Sequence, residues 1–246
     1  MKTRDAVSGG FYLSVVGMYI YSLWYNIAFI TKGADNLFSY DGYGGKFKYL
    51  TFWNHVLQTL YFCICVVNAF AGSDIPASKH PRNRSGLQWF RDILHATLAF
   101  PVGMFVEVTF WAIFHLDREL VYPISRAQHV PPLIHHLCHT TVLPLLLVEK
   151  YLVYHHHPRR HNGIFILSAF ALLYLAWILW IAFAADLWVY PVLRVMQNHE
   201  RAIFIMFLLM FFISIYLLGE ALTKFLWRKE KAALNAALSA ASKKKK

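Results

Sequence analysis

Residues 131–149, PPLIHHLCHTTVLPLLLVE, place three histidines and two threonines inside a stretch whose other residues make an ordinary membrane-spanning helix. Ionisable groups at mid-bilayer depth cost roughly 2.5–3.5 kcal/mol or more per charge, so they face a cavity or a partner and mark a functional site. At about 100° per residue, His135, His136 and His139 fall within one arc, with Thr140 one turn beyond His136. The three histidines are therefore expected to share a face.

Hydrophobic residues make up 58% of the 246 and charged residues 15%, and the apolar residues are gathered in long runs. These runs predict an all-α membrane protein, a bundle of six transmembrane helices of about 20 residues each, the length a ~30 Å hydrocarbon core demands. The spans are read as Phe11–Ile30, Tyr49–Gly72, Ile93–Leu116, Pro132–Val153, Ile164–Ala185 and Ala202–Leu222. The first run is too long for a signal peptide and is followed by no small-residue cleavage pattern. No Gly/Ser linker or long polar region divides the chain, so residues 1–246 are read as a single polytopic membrane domain with a basic tail at about 229–246.

The net charge of +11 is uneven along the chain. With an even number of spans, the termini and the loops near 73–92 and 150–163 share one side, and that side holds 17 of the 24 Lys and Arg residues. The other 7 are Lys32, Lys46, Lys48, Arg118, Arg126, Arg194 and Arg201. The positive-inside rule then puts both termini in the cytosol. The basic excess is a topology signal and implies no nucleic-acid partner. Cys63, Cys65 and Cys138 all fall within spans and form neither a disulfide framework nor a CxxC metal site, so they read as packing residues.

A second polar stripe runs along the second span. Thr51, Asn54, His55 and Gln58 stand at i, i+3, i+4 and i+7 and must point inward, either as interhelical hydrogen-bonding residues or as chemistry. Thr51 lies about two residues inside the non-cytosolic surface and His139 about seven, near 10 Å at 1.5 Å per residue. Both sit in the outer half of the bundle. A hydroxyl and an imidazole at neighbouring depths are the minimal parts of an activated nucleophile. A weaker echo pairs Asp117-Arg-Glu-Leu-Val-Tyr-Pro123 with Asp186-Leu-Trp-Val-Tyr-Pro191, read as two interfacial helix stops.

At these residues the chain resembles a known family. Gly44-Gly-Lys-Phe-Lys-Tyr-Leu-Thr-Phe52, Phe90-Arg-Asp92, Leu98-Ala-Phe-Pro-Val102, His139-Thr-Thr-Val-Leu-Pro144, Trp188-Val-Tyr-Pro191 and Tyr216-Leu-Leu-Gly-Glu220, with Asp117–Pro123, follow the order found in the family of androgen-induced gene 1 and androgen-dependent TFPI-regulating proteins. The resemblance spans about residues 44–227. It implies a multi-pass membrane hydrolase that cleaves fatty acid esters of hydroxy fatty acids with a Thr nucleophile and a His, which by motif are Thr51 and His139. His136 matches a family His, His135 replaces an Asn, and Glu107 stands where an aliphatic residue is expected.

The mechanism expected on this basis is acyl transfer: Thr51 attacks the ester carbonyl, His139 takes its proton and returns it to the departing hydroxy acid, and water cleaves the acyl-threonine. Asn54, His136 or a backbone N–H are candidate oxyanion donors. Lys48 and Arg118 are each either a point charge for the substrate carboxylate or a snorkelling interfacial cation. Glu107 either orients His139 or is a hydrogen-bonded carboxyl packed against a neighbour. No cofactor and no metal are expected.

Two other classes compete. Thirteen histidines, with HHLCH at 135–139 and HHHPRRH at 155–161, invite a histidine-ligated membrane metalloenzyme acting on lipids. His139 and His155 are separated by sixteen residues, about 24 Å of helix, which excludes one shared centre and leaves a single-metal site at 135–139. The 155–161 cluster is then a basic, lipid-facing loop. A non-enzymatic lipid-binding membrane protein is the third class. The terminal lysines fit either a retrieval signal of the endoplasmic reticulum or a tail on anionic lipid, so the expected membrane is the endoplasmic reticulum or the plasma membrane.

Overall fold

The computed structural model describes residues 2–30, 42–74 and 84–243, and among these every regular element is helical. Lys32, Lys79, Arg82 and the last three lysines, which entered the charge count above, lie outside the described residues. The chain begins with α1, Lys2–Phe29. A 3₁₀ turn over Gly45–Lys48 leads into α2, Leu50–Ala71, and then comes α3, the 31-residue helix Gly86–Leu116. Two shorter helices follow, α4 (Pro132–His139) and α5 (Val142–Leu152). The chain continues into α6 (Arg160–Ala185), α7 (Asn198–Leu226) and the tail helix α8 (Arg228–Lys243).

Four of these helices, α2, α3, α6 and α7, are long and apolar enough to cross a membrane. The first expected span is a helix, but α1 is not among the four: Ser8, Tyr12, Ser14, Tyr19, Tyr21, Ser22, Tyr25 and Asn26 dilute its apolar run. The fourth expected span is not one helix. It stops at His139 and restarts at Val142, with Thr140 and Thr141 between. Pro144 is the physical cause, because its ring lacks an N–H and excludes the carbonyl that an unbroken helix would place four residues earlier, at Thr140.

Both sides of this break are secured from α3. Glu107 accepts the backbone N–H groups of Val142 (2.7 Å) and Leu143 (2.8 Å), donors that the start of α5 would otherwise leave without partners. Trp111, one turn further along α3, donates its indole N–H to the carbonyl of His139 at 2.6 Å. Glu107 is thus the packed, hydrogen-bonded carboxyl of the two readings above, and its neighbour is a helix terminus.

α3 carries a distortion of its own. Residues His95–Ala99 form a π turn, in which the Phe100 N–H reaches back to the His95 carbonyl. Pro101 accounts for it, since a proline inside a helix displaces the ladder before it. Two residues on, α3 crosses α2 and α5 so closely that a Cβ at Gly103 would stand 2.6 Å from Leu146 Cδ1 and 2.9 Å from Gln58 Nε2. Tyr12, Tyr61, Phe62, Phe100 and Leu146 fill the core around this crossing.

Candidate functional site

The site is set by where α2 begins. Tyr190, in the WVYP segment after α6, accepts the Leu50 N–H on its hydroxyl at 2.9 Å and shares a 2.9 Å hydrogen bond with the Tyr174 hydroxyl. Tyr174 also lies 2.9 Å from the carbonyl of Lys48, to which it donates. These contacts fix the first turn of α2 against α6, and Thr51 is in that turn.

Thr51 lines two cavities. The larger, about 150 Å³, lies between α2, α3, α6 and α7 and is walled by apolar side chains such as Phe105, Phe110, Phe170, Leu208 and Phe212. The smaller, about 80 Å³, is lined by Thr51, His55, His135, Cys138 and His139, with Tyr122 and Tyr190 at its walls. Thr51, Phe110, Val121 and Tyr190 belong to both, so Thr51 stands on the partition between a greasy chamber and an imidazole-lined one.

The structure therefore brings Thr51 and His139 to one cavity. His139 is the last residue of α4; its ring stacks on Phe110 with centroids 3.8 Å apart and lies 5.1 Å from the His135 ring. His135 packs in turn on Tyr122 at 4.5 Å. His136 does not join them. It is exposed, turned to Thr140 Oγ1 at 2.9 Å, and absent from the cavity lining, so the expectation of one shared histidine face is corrected to a pair, His135 and His139. A 100° step at consecutive positions is enough to put one imidazole inside and the next outside.

The other candidates also stand apart from the cavity lining. Asn54 is fully buried and accepts from Gln58 Nε2 at 2.9 Å, while the same Gln58 nitrogen donates to the Ala99 carbonyl at 2.8 Å. The pair joins α2 to the π turn of α3, which is the interhelical role the stripe left open. Lys48 is fully buried beside the Tyr49 ring, not snorkelling at a surface. Arg118 lies over the Phe114 ring and points Nε at the Tyr122 carbonyl at 3.5 Å. In place of these, His55 enters: it is one turn below Thr51 on the same stripe, and its Nε2 makes no hydrogen bond. The two tyrosines of the repeated VYP echo, Tyr122 and Tyr190, are more than interfacial stops, since both wall the histidine chamber.

A second polar centre lies ten residues further along α2, about 15 Å from Thr51. There Tyr61 donates to Glu149 at 2.8 Å, Arg91 pairs with Asp92 at 2.8 Å and with Asp74, and His155 sits between Asp92 and Glu149. His155 is completely buried, which corrects the reading of the 155–161 cluster as lipid-facing; residues 159–162 are the exposed part. Burial alone would lower the His155 imidazole, but Glu149 and Asp92 outweigh it and raise it above the ordinary histidine value. Among the described residues, the His/Cys/Asp/Glu group with metal-ligand spacing is His95, Glu149 and His155, not 135–139.

The comparisons with known proteins point to the same family. The family model of FAR-17a/AIG1-like proteins matches residues 8–224. The chain belongs to this family. It is 36% identical to human androgen-induced gene 1 protein over 79% of its own length and 83% of the relative's. Human androgen-dependent TFPI-regulating protein is 35% identical over 75% of this chain and 78% of its own, and the mouse protein of that name 32% over 92% and 94%. No solved structure matches. FAR-17a/AIG1-like membership and the four apolar helices together describe an integral, multi-pass membrane protein.

Proposed function

We propose that the chain is a membrane lipid hydrolase in which Thr51 is the nucleophile and His139 the base. The observation that carries this reading is the position of Thr51 on the wall shared by an apolar cavity and a histidine-lined one. An ester with a long acyl arm needs that division: the arm desolvates in the apolar chamber, and the carbonyl meets the hydroxyl at its boundary.

In the proposed reaction the Thr51 Oγ adds to the ester carbonyl while His139 accepts its proton. Collapse of the tetrahedral intermediate expels the alcohol of the hydroxy acid, protonated by His139, and water then releases the acid from the acyl-threonine by the same steps in reverse roles. His55 is the proposed oxyanion donor; what supports this is that it shares the chamber with Thr51 and that its Nε2 makes no hydrogen bond. Fatty acid esters of hydroxy fatty acids are the proposed substrates, on the resemblance of the KYLTF and HTTVLP segments. Six crossings with both termini cytosolic, in the endoplasmic reticulum or plasma membrane, complete the reading, with α4 and α5 together making the fourth crossing.

Labelling of purified protein by a fluorophosphonate probe tests it. Wild type should be labelled and should hydrolyse a fatty acid ester of a hydroxy fatty acid, and Thr51→Ala should do neither while remaining folded. Turnover by Thr51→Ala at the wild-type rate, or a lipid that binds wild type without being cleaved, would leave a lipid-binding protein in place of an enzyme.

A further inference from the structure

We infer that His95, Glu149 and His155 form a site for one divalent transition-metal ion, zinc being the best match to its donors, remote from the Thr51 chamber. The three side chains come from different parts of the chain: His95 from the first position of the π turn, Glu149 from the last turn of α5, and His155 from the connection between α5 and α6. All three have zero exposure, and one ligand atom from each lies within 4.8 Å of the others.

The geometry around the donors is that of a supported site. His155 presents Nε2 to both Glu149 oxygens, at 2.8 and 2.7 Å, while its Nδ1 lies 3.2 Å from Asp92 Oδ1. With an ion in place of the Nε2 proton, the carboxylate on the far nitrogen would fix the tautomer that leaves Nε2 as a lone-pair donor, the usual backing of a metal-bound histidine. Asp92 is itself held by Arg91, so its charge is answered locally. Tyr61 and Tyr12 reach Glu149 through the same oxygen, Oε1, which leaves Oε2 facing His95 Nε2 at 3.2 Å.

His95 is the second imidazole directed at the Glu149 carboxylate. Its two ring nitrogens are fully buried; Nε2 stands 3.2 Å from Glu149 Oε2, and Nδ1 makes no hydrogen bond. Its ring is stacked on His155 at 3.8 Å and 9°, so both Nε2 atoms converge on one carboxylate. The Nε2 atoms of both rings face the same Glu149 oxygen, at 3.2 Å from His95 and 2.7 Å from His155, an arrangement of two imidazoles on one carboxylate oxygen. A cation placed among the two Nε2 atoms and Oε2 would be held by both rings at once. Two imidazoles and one carboxylate suit zinc, with a fourth position open to water. The ion would tie α3, α5 and the connection to α6 into one rigid end of the bundle.

The test is the metal content of the full-length protein purified in detergent without chelators, measured by plasma mass spectrometry. About one zinc per chain is expected. Exchange for Co²⁺ should give the visible absorption of a four-coordinate site, and His95→Ala should lose the ion. Replacing His156, His157 and His161 together with Ala should leave it in place, which locates the site even if His95→Ala fails to fold. Loss of the ion in that triple variant, its retention in folded His95→Ala, or a wild-type chain that binds neither Zn²⁺ nor Co²⁺ would each overturn the assignment, the last leaving a metal-free ion pair of protonated His155 with Glu149.

Discussion

The carboxylate of Glu107 spans the two backbone N–H groups of Val142 and Leu143, one oxygen to each, at 2.7 and 2.8 Å. It closes the helix end that Pro144 opens, three residues after His139. Glu107→Ala should therefore strand two backbone donors, the buried one at Val142 worth about 1–3 kcal/mol, and lower the melting temperature in detergent. Glu107→Leu should behave the same way despite its better volume. Hydrolysis should fall with stability in both, because the position of His139 depends on the same break. An unchanged melting temperature in Glu107→Ala would show that water caps α5 equally well.

Thr51 and His139 act as one unit in the proposed reaction, so their losses should not add. Thr51→Ala and His139→Ala should each reduce kcat by about 10³-fold or more, and the double variant should be little worse than either. A double variant worse by the product of the two would mean that the residues act independently.

The histidines of the 135–139 segment should separate by position. His136→Ala should keep activity within about threefold of wild type, whereas His135→Ala, which removes a ring packed between Tyr122 and His139, should cost more. His55→Ala should lower kcat with little change in KM, as expected for a group that meets only the transition state. Equal effects at 135 and 136 would contradict the chamber described here.

The apolar cavity predicts chain-length selectivity. Ala171 lines it, and Ala171→Phe should raise KM or abolish turnover for long acyl esters while sparing a short ester such as the acetate. Loss on both substrates alike would place the acyl arm elsewhere.

Orientation is open to direct measurement. A tag at the Lys246 end should be reached only after permeabilisation of cells carrying the protein at their surface, and a glycosylation acceptor placed in the 31–45 loop should be modified. The opposite pattern would put the Thr51 chamber on the cytosolic side.

Fold class was legible because burying this much apolar sequence leaves few architectures, and the inward placement of Thr51 and His139 on one cavity was legible because a polar residue in an apolar run is costly. The break at Thr140 and Thr141 was signalled by Pro144, but hydropathy averages over a turn and hides it. His136 was misread since two imidazoles one step apart can face different ways, and only the packing of Phe110 and Trp111 decides which. Glu149 drew no attention and His155 was assigned to a lipid-facing loop: each stands at the margin of a run, where charged residues ordinarily meet water. Their burial depends on α3, whose π turn turns His95 toward them, and no local pattern reports a contact between residues 95 and 149.

The two short helices also carry a consequence for biosynthesis. At 8 and 11 residues, neither α4 nor α5 is long enough to partition into a bilayer by itself, and the carboxylate that completes their junction resides on the preceding helix. If the pair makes the fourth crossing, its entry from the translocon must wait for α3, and the two must leave together as a hairpin. A chain truncated after residue 158 with Leu at position 107 should then glycosylate a downstream acceptor less uniformly than the same truncation with Glu107. One acidic side chain would in that case serve the assembly line before it serves the finished protein.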